Sequence, residues 1–278
     1  MKNPEPYYFL DSGGGEKLEQ FGSYRLIRPA AVAVWEKQLN NWESADAAFS
    51  RKGAVGWTVQ TSLPKSWIIS INSLQFLIAP TDFGHLGLFP EQETQWKWIE
   101  KTVEACPTKP SILNLFAYSG GATLAAAKAG ASVTHVDASA GMVSWARENA
   151  KLNQLENAPI RWIVEDVKKY LTRCERRGER FDGIILDPPS FGRGPKKELF
   201  KIEEDLPPLL LQCVKLLSDK PLFILFSCHT PGFTPIVLKQ LLEEALSREG
   251  EIEAGEMLLE GRKGGFCLPS GCYARWRA

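Results

Sequence analysis

The chain has 278 residues, 44% of them hydrophobic, and its 33 basic residues balance 33 acidic ones. That length buries a substantial core, as one large domain or one domain with a smaller attachment, and the even balance excludes a global field that would draw in a polyanion. A basic-then-apolar leader and an apolar run of about 18 residues are both lacking, so a cytoplasmic protein with no membrane partner is expected.

Residues 1–88 read as a small β-rich substrate module. Strands are expected at 7–11 and 23–28, flanking a turn-rich stretch at 12–15, and again at 56–61, 66–71 and 74–79, with one helix at 30–39. Five of the nine tryptophans fall before residue 97, a density that suits packing of a small sheet better than base stacking. The segment His85-Leu86-Gly87-Leu88-Phe89-Pro90-Glu91-Gln92 is a hinge, and Pro90 suits the start of a helix whose apolar face is Trp96, Ile99 and Val103.

From residue 89 to 278 the pattern is that of a second domain. Strands at 112–116, 132–136, 160–164, 181–186 and 221–226 alternate with helices at 119–129, 139–153, 167–177, 203–218 and 234–247. This is βα repetition, which implies a parallel sheet covered on both faces. Two further strand-like runs, 252–259 and 272–276, add an antiparallel terminal hairpin. The fold class expected is therefore α/β, a Rossmann-like, mostly parallel seven-stranded sheet of the class I methyltransferase type.

Ligands of such sheets bind beyond the carboxyl ends of the strands. The first strand runs into Ala117-Tyr118-Ser119-Gly120-Gly121, whose glycines allow close backbone approach at a helix N-terminus, and the second ends on Asp137, where a carboxylate can accept two ribose hydroxyls. No G-x-G-x-x-G follows the first strand, so a pyrophosphate cradle is lacking and S-adenosylmethionine fits better than a dinucleotide. Asp166 can meet an adenine amino group while the Val167 N–H meets a ring nitrogen; an aspartate there is equally a helix N-cap.

Asp187-Pro188-Pro189-Ser190-Phe191 puts an acid and a stiffened backbone at the same edge, where they can orient a nucleobase. Ser190 stands where amino-methylating enzymes carry an aromatic. Cys228 follows the fifth strand. Cytosine C5 is a poor nucleophile, so its methylation requires a thiolate to add at C6, and Cys228 with Asp187 as partner for N3 can supply that chemistry, or Cys228 is a core residue and a base nitrogen is methylated directly. Arg193, Lys196, Lys197, Arg262 and Lys263 are placed to neutralise phosphates. Arg173, Arg176, Arg177 and Arg180 read as a solvated helix end. The six cysteines form no C-x-x-C pair and no zinc spacing with the three histidines, so reduced thiols and no metal are expected.

The motifs L-N-L-F-A-Y-S-G-G-A-T, V-D-A-S, A-R-E-N-A-K-L-N, E-D-V and L-D-P-P-S-F-G-R-G together resemble the class I S-adenosylmethionine-dependent methyltransferases related to the bacterial 23S ribosomal RNA large-subunit enzymes that act on cytosine C5 or guanine N7. The resemblance implies cofactor contacts at Phe116, Tyr118, Ser119, Gly120, Asp137, Ser139, Asp166 and Asp187, and ribosomal RNA as substrate. It also implies a nucleophile at Cys228, in S-C-H where the cytosine-specific members have S-C-S. The remaining readings are methylation of a non-RNA acceptor, a dinucleotide oxidoreductase and a catalytically silent RNA-binding protein.

Overall fold

A computed structural model describes residues 5–51, 53, 55–193, 199–261 and 265–278. It divides into two compact units, Met1–Glu93 with Leu258–Ser270, and Thr94–Met257 with Gly271–Ala278. Among the described residues no helix is long and apolar enough to cross a membrane.

The first unit contains β1 (Tyr7–Gly13), β2 (Glu16–Phe21), β3 (Tyr24–Pro29), β4 (Ala47–Ser50), β5 (Gly56–Val59), β6 (Trp67–Ile71) and β7 (Leu74–Ile78). The first five form one sheet in sequence order, and β6–β7 is a separate hairpin. Its strands alternate as a half-buried sheet demands: Leu74, Phe76 and Ile78 of β7 are buried, and the residues between them are not. Trp42 is buried with Leu10, Leu18 and Ala45, and Trp57 and Trp67 pack edge-on against Phe49 and Tyr24. Phe9 and Ala33 share a small core with Leu259 and Leu268.

Two expectations fail here. Residues 30–39 form turns and bends, not a helix. Their backbone bonds to the β1–β2 hairpin instead: the Gly14 and Gly15 N–H groups donate to Trp35 and Ala33, and the Asp11 carboxylate accepts from the Gln38 and Leu39 N–H groups and from Trp42 Nε1. A bulge between Phe9 and Asp11 accompanies that arrangement. The strands β2 and β4 were also not expected; β2 (E-K-L-E-Q-F) is mostly polar, and its two apolar residues, Leu18 and Phe21, fall on opposite faces, so no alternation shows.

In the second unit α1 (Glu93–Glu104) precedes β8 (Ser111–Leu115), α2 (Gly121–Lys128), β9 (Ser132–Asp137), α3 (Ala140–Leu152), β10 (Ile160–Val164), α4 (Val167–Arg177) and β11 (Gly183–Leu186). Then come β12 (Phe191–Arg193), β13 (Leu199–Lys201), α5 (Ile202–Lys215), β14 (Phe223–Cys228), α6 (Pro235–Ala245), β15 (Glu251–Leu259) and β16 (Leu268–Arg277). The short β12–β13 pair lay outside the sequence reading. Pro90 opens a single 3-10 turn that leads into α1.

The seven-stranded sheet has the order β10-β9-β8-β11-β14-β16-β15. β8, β9, β10, β11 and β14 are mutually parallel, and β16 runs antiparallel to β14. Chain order reverses between β8 and β11, which makes the edge above them the topological switch point. Ile184, Leu186, Ile224 and Phe226 of the central strands are buried with Tyr170 and Leu171 of α4 and Leu206, Leu209 and Leu210 of α5. Each such side chain contributes about 2 kcal/mol on leaving water. Trp98 of α1 packs edge-on against Phe223.

Candidate active site

The carboxyl ends of β8, β9, β11 and β14 bring most of the expected residues to one edge. After β8 the chain turns sharply, with Phe116 and Tyr118 both in the left-handed region at φ +54° and +50°. Two departures of that kind within three residues cost free energy and persist where surrounding structure over-determines them, as at ligand sites. Asp137, at the end of β9, holds Tyr118: its Oδ2 accepts the Tyr118 N–H at 2.9 Å and its Oδ1 accepts the Ser139 N–H at 2.8 Å. Burial pushes this carboxyl above its ordinary value, and the two backbone donors pull against that shift. Each oxygen keeps a lone pair for a further donor, which fits a diol.

Gly120 has φ +95°, and a Cβ there would stand 3.1 Å from Ala146 Cβ; one on Gly121 would stand 2.4 Å from Trp96 Cζ2. Gly120 is favoured by its backbone conformation and Gly121 by its close packing on Trp96. Ser119 is buried, and its carbonyl accepts from Asn149 Nδ2. Beneath the turn a buried chain runs from Asn114 Nδ2 to Thr123 Oγ1 and on to His135 Nδ1, each step 2.9 Å. Nothing in the local sequence pattern announces it.

Ser139 caps α3 by accepting the Met142 N–H, and Asp166 caps α4 by accepting the Lys169 N–H at 3.1 Å through Oδ1. Val167 is the first residue of α4, so its N–H is one that the helix cannot satisfy, while its side chain is buried in the core. The cap uses Oδ1 only. The Phe116 ring packs at 5.1 Å on Phe200.

β11 and β14 are neighbours, with Leu186 opposite Phe226. Asp187 Oδ1 and His229 Nδ1 approach to 3.4 Å, their side chains 27% and 30% exposed. Ser190 Oγ lies 2.7 Å from Thr230 Oγ1, which ties the loop after β11 to the loop after β14. Cys228 is turned the other way. It is 1% exposed, belongs to the main core, and its Sγ accepts the Thr230 N–H at 3.4 Å. Burial pushes its thiol up; Thr230 and His229 oppose that shift and Asp187 adds to it. Cys272 lies directly opposite on β16, its thiol pushed up to about 12 by burial.

Lys196, Lys197, Arg262 and Lys263, and the Arg193 side chain, lie outside the described residues. Arg173 and Arg177 at the end of α4 pair with Glu165 and Glu179.

A Rossmann-like sheet with a reversed last strand, a tight turn after its first strand and an acid after its second defines a class I methyltransferase. The chain matches the model of the S-adenosylmethionine-dependent methyltransferase family over residues 29–250, and it belongs to that family. The crystal structure of a SAM-dependent methyltransferase from Agrobacterium tumefaciens superposes with a TM-score of 0.93 at 37% identity, covering 100% of this chain and 93% of that one. Ribosomal RNA large subunit methyltransferase K of Neisseria meningitidis is 31% identical over 240 residues, or 82% of this chain and 66% of that protein. Ribosomal RNA large subunit methyltransferase I of Escherichia coli is 34% identical over 257 residues, or 86% of this chain and 64% of that protein. This chain thus spans less than two thirds of those relatives' length. Its cofactor is S-adenosylmethionine, which supplies an electrophilic methyl group.

Proposed function

We propose that the acceptor is a nucleobase of RNA, in the cytoplasm, with ribosomal RNA the first candidate because the curated relatives carry that substrate in their names. Phe116, Tyr118, Ser119, Gly120, Asp137, Ser139, Asp166, Val167 and Asp187 hold the cofactor in this reading, with the ribose on Asp137. The observation that carries the acceptor class is the edge formed by Asp187, Pro188 and Pro189 beside His229, where a partly exposed carboxylate and imidazole 3.4 Å apart can orient a base.

Two chemistries use that edge. Direct transfer needs no covalent intermediate, and the burial and raised thiol of Cys228 favour it. Attack of Cys228 on cytosine C6, with Asp187 at N3 and methylation at C5, is the second reading. It is supported by the position of Cys228 at the end of β14, one strand from Asp187. The experiment is transfer of labelled methyl groups from S-adenosylmethionine into total RNA stripped of its modifications, with the nucleoside product identified by mass spectrometry for wild type and Cys228→Ala. Direct transfer leaves the variant within about threefold of wild type; 5-methylcytidine that disappears with Cys228→Ala establishes the covalent route. No label in RNA rejects the acceptor class.

A further inference from the structure

We propose that His229 is the proton acceptor of the reaction, held for that task by Asp187, and that the methylated atom is one that carries a hydrogen. This rests on the reading of the acceptor as a nucleobase. Asp187 and His229 belong to different strand ends, and three features bring them together. Nδ1 and Oδ1 lie 3.4 Å apart. The Ser190–Thr230 hydroxyl contact at 2.7 Å ties the loops that carry them, and Thr230 is further fixed by donating its N–H to Cys228. Gly271, at φ +128°, packs closely here: a Cβ there would stand 2.7 Å from Met257 Cε, 2.9 Å from the Cys228 carbonyl and 3.0 Å from His229 Cδ2. Both side chains stay about a third exposed, so the pair sits at the edge and is not a core contact.

At 3.4 Å the contact is electrostatic and is not a formed hydrogen bond; the negative carboxylate favours the proton on Nδ1, and so the acceptor lone pair on Nε2. Methylation of an exocyclic amino group leaves the nitrogen positive and still bearing hydrogen: its lone pair has formed the N–C bond while the electrons of the S–C bond have gone to sulfur. Moving that proton to Nε2 gives an imidazolium whose charge Asp187 offsets, and solvent then takes the proton. On the covalent route the same lone pair removes the C5 proton as the Cys228 sulfur departs. A ring nitrogen without hydrogen, such as guanine N7, releases no proton and has no use for the pair.

Histidine nitrogen NMR tests the arrangement apart from turnover, because the chain has only three histidines, at 85, 135 and 229. His229 is expected as the Nδ1–H tautomer in wild type and as the ordinary mixture in Asp187→Asn. In the RNA-labelling assay His229→Gln is expected to lose about 100-fold in kcat with S-adenosylmethionine affinity unchanged within about twofold, and imidazole is expected to restore part of the loss in His229→Ala. An Nε2–H tautomer in wild type, a kcat within about threefold, or parallel loss of cofactor affinity without imidazole rescue overturns the assignment. A 7-methylguanosine product overturns it too, and leaves the RNA reading standing.

Discussion

Gly121 opens α2 directly beneath the edge of the Trp96 ring, so that a methyl group added at Gly121 would stand 2.4 Å from Trp96 Cζ2. Trp96 is 4% exposed and has little room to retreat. Gly121→Ala is therefore expected to destabilise by about 1–3 kcal/mol despite the better helix propensity of alanine. It should also weaken cofactor binding, because the turn from Phe116 to Gly120 ends on this residue. Thermal unfolding and calorimetric titration check both; Gly121→Ala should cost less when added to Trp96→Leu, whose side chain is shorter and has no ring, and a Gly121→Ala protein as stable as wild type would show that the helix shifts freely.

Asp137 carries the strained turn and the diol site at once. Asp137→Asn turns an amide N–H toward the Tyr118 or Ser139 donor, losing one acceptor. An affinity loss for S-adenosylmethionine of roughly tenfold to a hundredfold is expected, equal to about 1.4–3 kcal/mol. Titration of the folded variant reads it directly, and unchanged affinity would place the ribose elsewhere.

His135 is fully buried in mid-strand, and burial lowers its imidazole to about 3, with Arg147 adding to the effect. The folded value lies below the ordinary one, so the unfolded chain takes up a proton first. Stability is complete above the ordinary value of 6.5 and is lost as pH falls toward about 3. The loss amounts to at most about 5 kcal/mol. Denaturant unfolding at pH 7 and pH 5 should show the slope in wild type and a flatter one in His135→Gln; equal slopes would remove His135 from the account.

In the first unit Glu19 is fully buried and receives Arg28 in a two-pronged contact, Nε to Oε2 at 2.8 Å and Nη2 to Oε1 at 2.9 Å. Burial would raise the Glu19 carboxyl, but Arg28 and Lys17 outweigh it and hold the group below its usual value. A lowered carboxyl stabilises above its ordinary value, and that contribution goes as pH falls through the lowered one. Glu19→Gln leaves the guanidinium buried without its counter-charge, at an expected cost of about 3–5 kcal/mol, and Glu19→Gln/Arg28→Met should return part of it. Urea midpoints for the two variants and wild type decide the matter.

The βα frame was legible because each element carries its own punctuation. Asp166 was read as a cap and is one, and Ser139 and Thr234, at the expected starts of their helices, cap them too. Residues 30–39 misled because the competitor for their backbone, the Asp11 carboxylate, lies more than twenty residues upstream of its partners. At the site, Asp137, Asp187 and Cys228 could be placed at strand ends from the alternation alone. The direction of the Cys228 sulfur, the Asp187–His229 contact and the Ser190–Thr230 tie could not, since they depend on how two loops meet across neighbouring strands.

The position of β16 between β14 and β15 bears on the order of events during synthesis. Phe223–Cys228, buried at every residue in the finished sheet, leaves the ribosome well before Leu268–Arg277, the strand that covers its outer hydrogen-bonding edge. Until then one edge of β14 is an unpaired apolar template, open to pairing with β15 in the wrong place or with another chain. A nascent chain halted between residues 259 and 268 would be the species most in need of a chaperone.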